Sequence, residues 1–496
     1  MSEKKIPTMS IPLEDSRAPY VLGLDVGSTA SRGGLYDASG RPIKGSKQRV
    51  SHAFDTSADG TSTIDADQVA DECREVISEI VDFARDHGVE IAAVAMDSFA
   101  SSFVLVDASG DALGRALTYA DSRCAPYVTR LREQIDEAEY HARTGVRLHT
   151  SYHPAKLAWV QAEHPELWAQ TETVMTIGEY VYLKLADIRG LATSTAAWSG
   201  VCDLRTGELD NGILAAVGVD KRYFSELRDP SEPALPGDAQ WAELNNKPWL
   251  HAIPDGWPSN VGPGAVDETT VAVAAATSGA MRVILAECPD RVPEGLWCYR
   301  LSATQWIVGG ALNDVGRGVS WLERVLAPVD TEELAEVLAA DHPEDTPAVL
   351  PFFSGERATG WAADAKASFV CVTDDTSALD LWRGVIEALA FSYRRVWNQV
   401  GDTPADPQRV VASGRVTTDH PDWLRILADS LQTPVIPLEM KRATLRGTAL
   451  IALEVIDAGG ERATPPFGEA LEPRSEHAEY YAKLGERFER LYGQLV

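Results

Sequence analysis

Residues 21–37 read VLGLDVGSTASRGGLYD: an apolar run closed by Asp25, a turn of Gly27, Ser28 and Thr29 with Ser31 just beyond, then a second apolar run. The pattern predicts two strands joined by a tight turn. Such a turn has two uses. In an ordinary hairpin Gly27 supplies backbone freedom while the hydroxyls bond locally. In an anion cradle the converging amides and hydroxyls receive a phosphate, with a carboxylate close enough to hold the accompanying metal. The spacing is not GxxxxGK[ST], and strand follows the turn where a P-loop has helix, so a Walker site is excluded.

Composition bounds the rest. At 496 residues the chain exceeds what one hydrophobic core organises, which predicts two large domains. With 45% hydrophobic and 24% charged residues it has an ordinary globular balance, and no apolar run reaches the length of a membrane span. The stretch MSEKKIPTMSIPLEDSRAP is polar and lacks the apolar core of a signal peptide. It predicts a flexible leader over 1–19 and a cytoplasmic location. A net charge of -29 makes nucleic acid and anionic membrane poor partners. The six cysteines show no metal-ligand spacing and read as reduced thiols.

Along the chain, strand signals at 21–37 and 91–97 surround a helix at about 66–87, SSFVLVD and ALTYAD read as further strands, and helical segments occupy much of 122–187. Strand and helix interleave, as in an α/β domain. A Pro/Gly/Trp-rich stretch over 229–264 breaks regular structure repeatedly and reads as a crossing between domains. Beyond it VAVAAATSGAMRVILAE repeats the opening pattern, with a small-residue turn at Thr277, Ser278 and Gly279. An accidental hairpin has no reason to recur about half a chain length later, so the echo favours an internal duplication and two phosphate turns. Helices follow at 380–400, 420–432 and 444–456, and the strand RVVASG ends at Gly414, a junction that suits a nucleotide or simply permits the bend.

With DVGST near the start, TSGA at mid-chain and SG before HPDWLRILADSL, the chain resembles the FGGY family of carbohydrate kinases over about residues 20–457. The segments ALTYADSR (116–123), RTGVRLHTSYHPAKLAWV (143–160), TIGEYVYLKL (176–185), NVGPGAVD (260–267) and PFFSGERATGW (351–361) are most similar to the gluconokinase-type branch. The resemblance implies an α/β fold of two ribonuclease H-like domains, of the actin, sugar kinase and Hsp70 type, around a central cleft. The expected division is 20–254 for an N-terminal domain with the sugar site and first phosphate turn, 255–460 for a C-terminal nucleotide domain, and 461–496 for a tail with a helix.

A kinase of this kind needs a base for the attacking alcohol, and metal and amides for the developing phosphoryl charge. The resemblance implies that Asp255 in IPDGWPSNVG is the base, although PDG is also a common turn sequence. It implies ATP and Mg²⁺, with Asp25 binding or orienting the metal, directly or through water. Gly27, Ser28 and Thr29 would lie near the γ-phosphate, with Arg32 where relatives commonly have lysine. Thr277, Ser278 and Gly279 would hold phosphates from the other domain, and Gly316, Ser320 and Gly414 match positions along adenosine.

Three departures stand out. Gly414 is followed by Arg415, which would stack on adenine or obstruct it. Ile253 and Pro254 replace glycines before Asp255 and stiffen that approach. At the substrate pair, usually polar or aromatic, stand Ala100 and Ser101. Asp121 and Arg123 of YADSR remain for sugar binding. Arg123 would meet a carboxylate such as that of gluconate, or form an ion pair with Asp121. His149, His153 and Lys156 are further candidates on the same wall.

The leading expectation is an ATP-dependent sugar or sugar-acid kinase, gluconate first and a pentulose such as xylulose second. The other class is a sugar- or nucleotide-binding regulator on the kinase scaffold, motivated by the departures. Keeping Asp25, Asp255 and both turns argues against it. An Hsp70- or actin-like ATPase would leave 116–160 and 351–361 unexplained. A small molecule and ATP are the expected partners, and a homodimer is compatible with the resemblance.

Overall fold

The structure is a computed structural model that describes residues 9–340 and 346–496. Two compact units emerge. Where the sequence suggested one boundary at 254/255, the first unit runs through Gly262 and takes in residues 298–307 and 440–465, while 466–496 belong with the second.

In the first unit five strands lie in the order Ile253–Pro254, Ile91–Ser98, Tyr20–Gly27, Ala30–Tyr36, Gln48–Ser51. Tyr20–Gly27 pairs antiparallel with Ala30–Tyr36 and parallel with Ile91–Ser98. Its interior residues are all buried, as expected of a strand covered on both faces. The covers come from distant sequence. Helix Ala66–Asp86 starts at Asp65, whose carboxylate accepts the Asp67 and Gln68 amides. Its Val69, Val76, Ile77 and Ile80 are buried, and a Cβ at Gly33 of the sheet would lie 2.6 Å from Val76 Cγ1. Helix Ala443–Ile456 meets the segment that follows Asp255. A Cβ at Gly447 would lie 2.0 Å from the Pro258 carbonyl, and one at Gly262 would lie 1.8 Å from that of Ala443. Only glycine lets these backbones touch. Buried Arg446 fixes the contact by donating to the Gly40, Gly262 and Ala463 carbonyls.

The leader expectation for residues 1–8 lies outside the described residues. Residues 9–19 are not a loose tail: Ile11 donates to Pro42 and bridges Ile43, and the Ser16 hydroxyl meets Leu13 O and Tyr20 Oη.

The second unit repeats the plan. Thr270–Ala275 pairs antiparallel with Gly279–Leu285 and parallel with Arg409–Ser413, which pairs parallel with Val435–Pro437. Helix Ala378–Val400 opens with a capping box at Ser377 and Asp380, and helix Asp422–Leu431 buries its apolar side. The C-terminal helix Ala478–Leu495 buries Tyr481 and Phe488. Among the described residues no helix is long and apolar enough to cross a membrane.

Candidate active site

Register brings the carboxylates of the first unit together. Asp25 is the direct neighbour of Asp97 on the adjacent parallel strand. Asp97 in turn neighbours Ile253, and the Asp255 amide donates to Ser98 O at 3.0 Å. Three acids therefore stand at the carboxyl ends of three consecutive parallel strands, where α/β sheets place their ligands.

Their environments differ. Asp97 is fully buried; its Oδ2 accepts from Thr448 Oγ1, while Oδ1 has no donor. Burial, then the charge of Asp25, pushes its carboxyl well above the usual range, with Asp255 adding to the effect. Asp25 is also raised by burial, and Arg32 opposes that rise. Arg32 Nη1 donates to Asp25 Oδ2 at 3.2 Å and Nη2 to Thr29 Oγ1 at 3.2 Å, so one guanidinium ties the acid to the turn. Asp255 alone of the three is half-exposed. Ser28 and Thr29 form a two-residue loop closed by the Gly27–Ala30 pair, with Ser28 half-buried and Thr29 exposed.

Ala100 is half-buried, and Ser101 is buried in left-handed backbone, its hydroxyl donating to the Trp198 carbonyl at 2.5 Å. Trp198 supplies an aromatic wall that the sequence reading did not find. Its ring stacks on Tyr299 at 4.0 Å, and a Cβ on Gly256, next to Asp255, would lie 2.9 Å from Trp198 Cζ2. Tyr152 and Tyr299 share a hydroxyl–hydroxyl hydrogen bond of 2.8 Å.

The nearby cations are engaged. Arg123 makes a forked pair with buried Asp121, Nη2 to Oδ2 at 2.7 Å, and its guanidinium lies over Trp159 at 4.5 Å. The Asp121 carboxylate also accepts the Ser62 amide. Lys156 is buried and donates to the Ser101, Thr118 and Ser151 carbonyls, and burial lowers it to about 8. His153 packs edge-on to Phe103, and burial followed by the Lys156 charge lowers it to about 3, which keeps it neutral. His149 meets Ser151 Oγ.

In the second unit a small, partly open cavity is lined by Ala276, Thr277, Gly316, Ser320, Arg415 and Val416, together with Glu323, Asp419 and His420. Four residues singled out from sequence thus share one cavity. Ser278 is exposed and Gly279 buried at the same turn. Gly414, at φ 111°, would put a Cβ 2.3 Å from Ala275 O, so glycine is required there. Arg415 points outward and pairs with Asp419 at 2.6 Å along one helix face.

The decisive match spans both units: residues 20–242 fit the FGGY family of carbohydrate kinases, N-terminal domain, and 272–454 fit its C-terminal domain. The chain belongs to this family. This FGGY kinase is 25% identical over 461 residues to a gluconokinase of Bacillus licheniformis, covering 88% of this chain and 87% of the relative. It is 22% identical over 451 residues to a xylulose kinase of Lactococcus lactis, covering 87% of each. The solved gluconate kinase of Lactobacillus acidophilus superposes with a TM-score of 0.88 at 23% identity, over 96% of this chain and 98% of that one. The fold is the two-domain carbohydrate kinase fold, the enzyme is a carbohydrate kinase, and its family takes ATP as substrate.

In this kinase the residues missed from sequence are Asp97, Trp198, Thr448, Glu323 and Asp419. Asp97 had a signal: IAAVAMD repeats the apolar run ending in aspartate that marks VLGLD. Trp198 and Thr448 come into place through long-range packing and carry no local signature, whereas Glu323 and Asp419 share short helices with Ser320 and Arg415.

Proposed function

We propose that this kinase transfers the γ-phosphoryl group of ATP to a hydroxyl of a sugar acid, gluconate, with Asp255 as general base. The observation that supports the assignment is the division among the three acids. Asp97 is buried, with its carboxyl pushed up by burial and by the Asp25 charge, Asp25 is tied to Arg32, and Asp255 is half-exposed. Asp255 takes the hydroxyl proton as that oxygen bonds to the γ-phosphorus and the bond to the bridging oxygen of ADP breaks. The Ser28–Thr29 turn offers amides and hydroxyls suited to phosphate oxygens, and the Thr277–Ser278 turn of the second unit offers the same chemistry.

Mg²⁺ fits the donor set. It prefers hard oxygens and is held by one or two carboxylates plus phosphates and water; the Asp25 carboxylate, two residues before the Gly27–Ala30 turn, offers that chemistry. When bound, the metal supplies neutralisation of phosphate charge.

Gluconate rests on the gluconokinase relatives. One observation favours a second reading, a neutral pentulose such as xylulose: Arg123 and Lys156 are both engaged, which leaves a substrate carboxylate neither of them. On either reading Trp198 takes the place of the bulky groups absent at Ala100 and Ser101. A panel of sugars and sugar acids in an ADP-release assay decides between them, with the highest kcat/KM expected on gluconate. Asp255→Asn is expected to lower kcat by about 10²–10⁴ with ATP affinity retained. Unchanged turnover in that variant would exclude Asp255 as base, and no turnover by the natural protein on any of the panel would return the regulator reading.

A further inference from the structure

Behind the first turn lies a histidine that neither the proposed chemistry nor the sequence reading uses. The side chain of His52, just past the strand Gln48–Ser51, is fully buried. Nε2 lies 2.8 Å from Gly27 O, and Nδ1 lies 2.7 Å from Glu72 Oε2. Its backbone amide donates to Thr29 O at 3.1 Å. One residue therefore grips the carbonyls on both sides of the Ser28–Thr29 loop.

The partners fix the protons. A carbonyl only accepts, so Nε2 carries hydrogen. Glu72, on helix Ala66–Asp86, also accepts from Ser31 Oγ at 2.8 Å and Gln68 Nε2 at 2.9 Å. Burial pushes the Glu72 carboxyl up, but the His52, Gln68 and Ser31 hydrogen bonds outweigh it and hold the group below the usual value. Both ring nitrogens thus lie within hydrogen-bond distance of fixed partners, and the ring is held at both edges in a buried place.

The peptide plane turns this anchor into aim. Gly27 C=O and Ser28 N–H belong to one trans peptide unit and point in opposite directions. With the carbonyl drawn to His52, the Ser28 amide is directed away from the core. We propose that His52, anchored by Glu72, is a positioning residue that aims the Ser28 amide at the phosphate of the bound nucleotide. This rests on reading the first turn as a phosphate site.

The test uses the full chain, with a non-hydrolysable ATP analogue in calorimetry and steady-state kinetics. His52→Gln should raise KM for ATP and weaken the analogue by about tenfold, with KM for the sugar within about twofold. Natural-protein affinity for the analogue in this variant, or an equal rise in both KM values, overturns the proposal. If the natural protein itself binds no nucleotide, the phosphate reading of the turn fails and takes this proposal with it. If His52→Gln does not fold, Glu72→Gln, which frees the ring from its anchor, should show the same split between the two KM values, and natural-protein affinity there overturns the proposal.

Discussion

The two hairpins share one plan and differ in chemistry. Each is an antiparallel pair with a parallel strand beside it, closed by Gly27–Ala30 in the first unit and Ala275–Gly279 in the second. Two residues before the closing pair the first carries Asp25, opposite Arg32 and beside Asp97. The same positions in the second are Val273, Met281 and Ala412, all apolar and buried. The turn carbonyls are also held differently. His52 takes those of Gly27 and Thr29, whereas the Gly316 and Arg317 amides, at the start of helix Gly316–Val325, take those of Ala276 and Thr277. The two hairpins therefore share a backbone plan without sharing its charges. On the function proposed above, the first turn would add a carboxylate for the metal, and the second would offer shape and amides alone.

The comparison breaks most sharply at Asp25. Asp25→Asn keeps an oxygen for Arg32 and removes the charge, so kcat should fall by about 10²–10³. Thr277→Val, which removes only a hydroxyl from the uncharged turn, should cost ATP affinity less than about tenfold. Steady-state kinetics with ATP varied measures both. Equal losses would show that the charge asymmetry carries no functional asymmetry.

Gly316→Ala probes the shape of the second turn. The added Cβ would lie 2.4 Å from Ala276 O and 3.3 Å from Thr277 Cα. Backbone, and not a pliant side chain, must give way, at a cost of roughly 1–3 kcal/mol. Thermal unfolding and ATP titration should show a less stable second unit with weakened nucleotide binding. The equivalent support in the first unit is a side chain, His52, which a substitution removes without such a clash.

These contrasts mark what a sequence displays and what it hides. Both hairpins were legible because a strand, a turn and a strand lie within 17 residues, and the pattern recurs. The acid cluster was half legible. Asp25 and Asp255 followed from motif, but the register that sets Asp97 beside Asp25 joins strands separated by a helix and leaves no local mark. Helix Ala443–Ile456 read as helix, yet its membership of the first unit depends on Gly447 and Gly262 meeting backbone nearly 200 residues away. Trp198 was invisible for the same reason. Its role beside Gly256 and Tyr299 is set by three segments converging, none with an unusual composition.

The smallest expected effect concerns Asp97, the acid with no polar counterpart in the second hairpin. Its native carboxyl is raised far above the ordinary 3.8, first by burial and then by Asp25. A raised acid binds its proton more tightly when folded. Its contribution is complete below the ordinary carboxylate value and is lost as pH rises toward the native one. Asp97→Asn fixes the neutral form and keeps an acceptor for Thr448 Oγ1, so its gain in unfolding temperature over the natural protein should grow from pH 5 to pH 8. Thermal unfolding at the two pH values measures the difference. Parallel curves for the two proteins would mean that Asp97 is ionised beside Asp25, and the division among the three acids would have to be drawn again. In the second unit, where Ala412 stands at this position, Ala412→Gly should leave the pH dependence unchanged, because it removes no titratable group.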